Sequence, residues 1–186
     1  LQLALSLAAL YRAASGWLGP VEPAGCLYQP VFDPLVSVDA PSEAGEAGWR
    51  QELKADGLIL DDGVVPRLMD GEVQGASELV PLHFNKDGGL GKRSKVADPG
   101  RMSAFLEFAL RRAGELAAAI ARGEAGASPY ELSETRPCAY CAYKPVCQFD
   151  ATVPGDAYRS LTPYRDPDAW DRITGGGEAP GEERAG

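Results

Sequence analysis

PCAYCAYKPVCQFD, residues 137–150, is the stretch on which the reading of this chain turns. Cys138, Cys141 and Cys147 stand in C-x2-C-x5-C spacing, three of only four cysteines among 186 residues. Three thiols so close in sequence converge on one point only if the backbone loops around it. Soft thiolates gathered in this way suit Zn²⁺ or an iron–sulfur cluster. Tyr140, Tyr143, Pro145 and Phe149 lie among and just after the cysteines, a composition suited to shielding a metal group from solvent. Both kinds of site ordinarily take four ligands. The remaining candidates in the chain are Cys26, in an apolar strand, and His83, the single histidine. The ordinary readings of those two residues are a small buried thiol and a satisfied strand histidine. A cysteine upstream of the chain is the better candidate for the fourth ligand.

Immediately before this stretch lies the clearest helix, from about Arg101 to Arg122. Met102, Phe105, Leu106, Ala109, Ala113, Leu116, Ala117 and Ile120 fall on one stripe. Asp98 or Ser103 is placed to cap its start, Pro99 to occupy its first turn and Gly123 to end it. Its Met and Phe residues read as core packing. Residues 83–112 hold seven basic against three acidic side chains. Lys92, Arg93 and Lys95, expected on one hairpin strand, are candidates for contact with DNA phosphates, although a charge run is more often a solvated face.

Upstream, ELVPLHF (78–84) and GKRSKV (91–96) flank the turn signal Asp87-Gly88-Gly89 and read as a β-hairpin. GLILDD (57–62) reads as a short apolar strand run, GVVPRLMD (63–70) as a short helix and APSEAGEAGWR (40–50) as a loop. GCLYQPVFDPLVSVD (25–39), broken by Pro30 and Pro34, reads as a short or edge strand. LQLALSLAALYRAAS (1–15) opens in mid-helix without a capping residue, with Leu3, Leu7, Leu10 and Tyr11 as its apolar face. It lacks the basic start of a signal peptide. The expectation is a core helix whose upstream chain is missing, in a C-terminal fragment. From Asp166 onward the acidic, glycine-rich end reads as a disordered tail.

Composition bounds these readings. Hydrophobic residues make up 45% and charged residues 24%, as in an ordinary globular domain. No apolar run reaches the roughly 18 residues of a membrane span. A net charge of −9 excludes a purely electrostatic coat for nucleic acid while leaving room for a local basic site.

Taken in order, these segments resemble the C-terminal nuclease region of the AddB/RexB family, the B subunits of ATP-dependent helicase–nucleases. LQLALSLAAL looks like the glutamine-containing helix of RecB-type PD-(D/E)XK nucleases, and GCLYQPVFDPLV like the strand after it. ADGLILDDGVVPRLMD is similar to the family's next strand and helix. SPYELSETRPCAYCAYKPVCQFD resembles its cluster segment, and GDAYRSL the stretch just beyond the cluster. The implied fold is α/β, a partial PD-(D/E)XK (RecB-like) nuclease core with a C-terminal cysteine-rich iron–sulfur segment. Residues 1–135 would be the later part of the nuclease domain, 136–165 the cluster segment and 166–186 the tail.

The resemblance makes Cys138, Cys141 and Cys147 three ligands of a [4Fe-4S] cluster whose fourth cysteine lies far upstream in the family. Gln2 would be the motif glutamine, near a metal-bound phosphate. Where RecB-type nucleases often carry a tyrosine four residues later, this chain has Ser6. The family's catalytic Asp and (D/E)-x-Lys precede the glutamine helix, and they hold the Mg²⁺ that activates water. Asp33, Asp61 and Asp62 read instead as turn and cap residues, so this chain alone should not cut DNA. The implied setting is cytoplasmic DNA repair and recombination, with DNA and a helicase–nuclease A subunit as partners in a heterodimer. The rival readings are a stand-alone Cas4-like nuclease and a zinc-binding interaction module.

Overall fold

The computed structural model describes residues 2–14, 16–32, 35, 43–161 and 163–175. Asp33 and Pro34, and the last residues of the expected tail (176–186), lie outside the described residues. The chain divides into two compact units, Leu1–Arg111 and Arg112–Gly186. The division falls inside a helix, upstream of the 135/136 boundary read from sequence.

The first unit is built around a three-stranded sheet. Strand β2 (Asp56–Leu60) is central, with β1 (Gly25–Tyr28) antiparallel on one side and β5 (Val96–Ala97) parallel on the other. β1 is an edge strand, as Pro30 just beyond it requires. The β1–β2 pairing is very close at Gly57, which faces Leu27. A Cβ on Gly57 would lie 2.1 Å from the Cys26 carbonyl oxygen, and its φ is +156°. Ile59, Leu82 and Phe84 form the buried centre, flanked by Leu27, Val65, Val80, Leu90 and Val96. Burying each of these three large side chains is worth about 1.5–3 kcal/mol.

Helix α1 (Gln2–Ala14) lies against β1. Its buried face is Ala4, Ala8 and Ala14, whereas Leu10 and Tyr11 are exposed. The leucine stripe expected to bury the helix is therefore only partly used. Alanines at i and i+4 allow close approach to a neighbour, and leucines there would hold the backbones apart. Helix α2 (Glu43–Glu52) occupies a stretch that reads as a loop. Its alanines and glutamates are good helix formers and Arg50 pairs with Glu46 one turn earlier at 2.7 Å, which outweighs Gly45 and Gly48. Helix α3 (Val65–Asp70) forms as its sequence predicts.

The expected hairpin is reduced to a turn. Asn85 N–H donates to the Gly89 carbonyl and a single bridge joins Phe84 to Leu90. Strand β4 (His83–Phe84) pairs instead with β3 (Gly75–Ala76). The Ser94 hydroxyl accepts from His83 N–H and donates to the His83 carbonyl, and Ser94 N–H donates to Gly91. The second arm thus curls on itself, and Val96–Ala97 passes to the central sheet. Lys92 and Arg93 therefore sit on a turn, not on a hairpin strand.

Helix α4 (Pro99–Ala121) begins and ends where its sequence signals stand. Asp98 Oδ1 accepts from Arg101 N–H at 2.9 Å. At the far end Gly123 takes φ +73°, and Glu124 N–H reaches the Ala119 carbonyl. Met102, Leu106 and Ala109 are buried, whereas Leu116 and Ile120, in the part assigned to the second unit, are exposed.

The second unit contains β6 (Tyr130–Leu132) and β7 (Arg159–Leu161), a parallel pair in which Leu132 faces Leu161. Helices α5 (Lys144–Cys147) and α6 (Asp166–Thr174) complete it. The tail expected to be disordered from Asp166 is helical through Thr174. Asp166 and Asp168 in its first turn and Arg172 in its last suit the helix dipole, and Gly175 closes it at φ +87°. Among the described residues no helix is long and apolar enough to cross a membrane.

Candidate thiol centre and basic cleft

The thiol segment folds as two successive turns. Pro137–Tyr140 forms a 3-10 turn that carries Cys138, and Ala139 N–H donates to the Arg136 carbonyl. Cys141 is extended, at φ −78° and ψ 121°. The chain then turns into α5, whose proline lies in the first turn, and Cys147 N–H donates to the Tyr143 carbonyl at 2.9 Å. Gln148 adopts the left-handed conformation at φ 56° and ends α5. Such a conformation in a residue other than glycine costs energy that neighbouring structure must offset.

The residues after Gln148 anchor the segment. Phe149 is the buried aromatic of this unit, and its ring meets Tyr158 edge-on at 4.9 Å. The Arg136 guanidinium lies 5.3 Å from the centre of the same tyrosine ring and pairs with Glu131 at 2.5 Å. That pairing holds the guanidinium above its ordinary pKa. Burial raises the Tyr158 phenol, and its contact with the Cys138 thiol raises it further. Asp150 closes the next turn, accepting from both the amide and the hydroxyl of Thr152, and its carboxyl is held below the ordinary range by those bonds.

All four cysteines are free thiols; Cys138 is half-buried, and Cys141 and Cys147 are exposed. Tyr140 and Tyr143 are also exposed, 96% and 75%, so of the aromatics expected to shield the thiols only Phe149 is buried. Three soft donors on one tightly turned segment match the donor chemistry of an iron–sulfur or zinc group. Their side chains are not drawn together: among the described residues no three His, Cys, Asp or Glu side chains are gathered closely enough to hold a metal ion. Cys26 and His83 both belong to the first unit. Burial pushes the Cys26 thiol up, against the pull of a hydrogen bond with Leu58, as befits a structural thiol. Gln2 is exposed in the first turn of α1.

Asp62 is a cap: its Oδ1 accepts from the amides of Val64 and Val65, which lowers its pKa. Asp61 N–H donates to the Ala97 carbonyl. Glu52-Leu53-Lys54 has the letters of an acid-x-lysine motif, but Glu52 ends α2 and no strand carries it.

In the first unit, Lys95 N–H donates to Pro81 and Ala55 N–H to Leu79, which brings three distant loops together. Between them lies a cleft of about 380 Å³ lined by Gln51, Lys54, Asp56, His83, Arg93 and Lys95, among others. Lys95 Nζ lies 2.6 Å from Asp56 Oδ1, and that bond is the main reason the carboxyl is held below its ordinary range. Of the basic residues singled out in the sequence, Arg93 and Lys95 line this cleft. Lys54 and Gln51 were not legible as part of it, because only the tertiary pairing of the loops brings them there.

A profile of the PD-(D/E)XK nuclease superfamily matches residues 1–148, a span that includes all three clustered cysteines. The chain is also similar to proteins named as the B subunit of an ATP-dependent helicase/deoxyribonuclease. It is 46% identical to that of Moorella thermoacetica over 164 residues, covering 87% of this chain and 14% of the relative. It is 39% identical to that of Symbiobacterium thermophilum, covering 95% of this chain and 15% of the relative. For Desulforudis audaxviator the identity is 34%, over 98% of this chain and 16% of the relative. The chain thus spans about one seventh of the length of these curated relatives.

Proposed function

The chain belongs to the PD-(D/E)XK nuclease superfamily, and from that premise we propose that it forms the closing part of the nuclease domain in the B subunit of a helicase–nuclease. The observation that carries this reading is the superfamily match through residue 148 together with 46% identity to the B subunit of a helicase/deoxyribonuclease. The whole protein would hydrolyse DNA phosphodiesters while processing broken ends for recombination, on a strand fed by its helicase partner. Mg²⁺, held by carboxylates of the family's motif outside these residues, would supply the activated water. Gln2 would face the metal-bound phosphate, and Lys92, Arg93 and Lys95 would contact the strand.

Cys138, Cys141 and Cys147 would hold three corners of a [4Fe-4S] cluster, with the fourth ligand from an upstream cysteine. Bridging residues far apart in sequence would close a long loop and so remove entropy from the unfolded chain. The cluster's role is structural, and it supports DNA-end binding by holding this segment in place. The test is Cys141→Ala in the whole protein. Lower thermal stability and weaker DNA-end binding are expected; stability and binding equal to the unsubstituted protein sink the reading.

A further inference from the structure

We propose that the cleft between the end of α2 and the turn before β5 is a phosphate-binding site, in which Lys54, Arg93 and Lys95 converge on one phosphate of a nucleic-acid strand.

Three cations face a single carboxylate, Asp56, in a chain whose net charge is −9. Among the described residues Lys54 acts on Asp56 only through longer-range charge, with no ion pair within 4 Å, and Arg93 makes no ion pair or hydrogen bond. Lys54 and Arg93 thus have N–H donors to spare for a phosphate. The one pair in the cleft, Lys95 with Asp56, is exposed on both sides, 56% and 64%. Such pairs contribute little, so Lys95 can turn to a phosphate at small cost. The Gln51 amide adds a neutral donor to the same rim. His83 Nδ1 is buried and has no hydrogen-bond partner among the described residues. Gly91 packs against it, where a Cβ would come within 2.6 Å. The His83 ring therefore has little freedom to move, and it forms part of the cleft wall. The cleft, about 380 Å³, has room for one phosphate between the three cations.

The inference rests on the reading that the whole protein handles DNA, and the test separates the two. His83 is the only histidine, so its ring C–H signals report the cleft without assignment of the rest of the spectrum. The full chain is titrated with inorganic phosphate and with a short mixed-sequence single-stranded oligonucleotide. Both are expected to shift the His83 signals saturably. Lys54→Gln and Arg93→Gln should each weaken oligonucleotide binding several-fold and lower the slope of log K against log salt by about 0.7. Lys54→Arg should restore binding. Lys86→Gln, an equal loss of charge outside the cleft, should do much less. Phosphate binding at His83 without oligonucleotide binding would support the anion site and count against the DNA reading. Oligonucleotide binding that leaves the His83 signals unmoved, or equal effects of all three Gln variants, would overturn the phosphate site and leave the DNA reading standing.

Discussion

Phe149 meets Tyr158 edge to face, with ring centroids 4.9 Å apart and planes inclined at 71°. This contact ties the end of the thiol segment to the residue that leads into β7. It also places Tyr158 where the Arg136 guanidinium covers its ring. Phe149 is the buried side chain nearest the cysteines in sequence, so the conformation of the cysteine-bearing turns depends on it.

Phe149→Ala should therefore destabilise the second unit by about 3–5 kcal/mol, the usual cost of emptying a buried aromatic site. Phe149→Leu should cost less, because most of the volume is retained. Chemical denaturation of both variants checks the order. An Ala variant as stable as the original would show that the aromatic contact does not anchor the segment.

Two glycines should respond to alanine with opposite signs. At Gly57 the added Cβ would collide with the Cys26 carbonyl across the β1–β2 pair, so Gly57→Ala should lower the melting temperature sharply. At Gly114, inside α4, nothing lies within 4 Å of the new Cβ. Gly114→Ala should stabilise by about 0.5–1 kcal/mol through helix propensity. Thermal unfolding of the two variants side by side tests both statements.

The ends of α4 were legible from the sequence. The Asp98 cap, Pro99 start and Gly123 stop of α4 are local signals, and each operates where it stands in the chain. The loop expectation at residues 40–50 fails from Glu43 onward because the small and acidic residues there form an Ala/Glu pattern that supports a helix. The hairpin expectation failed because Ser94 competes for the backbone of His83, and no pairwise turn signal reveals that. The spacing of the cysteine segment is a local signal, whereas the exposure of Cys141 and Cys147 depends on tertiary packing and cannot be read from it. The basic cleft was only half legible, because Lys54 joins Arg93 and Lys95 through strand pairing across some forty residues.

Acid should destabilise the protein through its depressed carboxylates. Asp62 is held down by the amides of Val65 and Val64, Asp150 by Thr152, and Asp56 first by Lys95. A carboxylate with a lowered folded pKa contributes stability above its unfolded value of about 3.9. That contribution is lost as pH falls through the lower folded value. Melting temperature should accordingly drop below about pH 4, and Asp62→Asn should make that drop shallower. An unchanged pH profile in Asp62→Asn would contradict the capping role.

The cluster assignment is tested most directly by metal analysis of the whole protein purified without oxygen, beside its Cys138→Ala, Cys141→Ala and Cys147→Ala variants. The account predicts iron and acid-labile sulfide at about four each per chain, with broad visible absorbance, and loss of both in every variant. Stoichiometric zinc in place of iron, or iron content indifferent to the three substitutions, would contradict it.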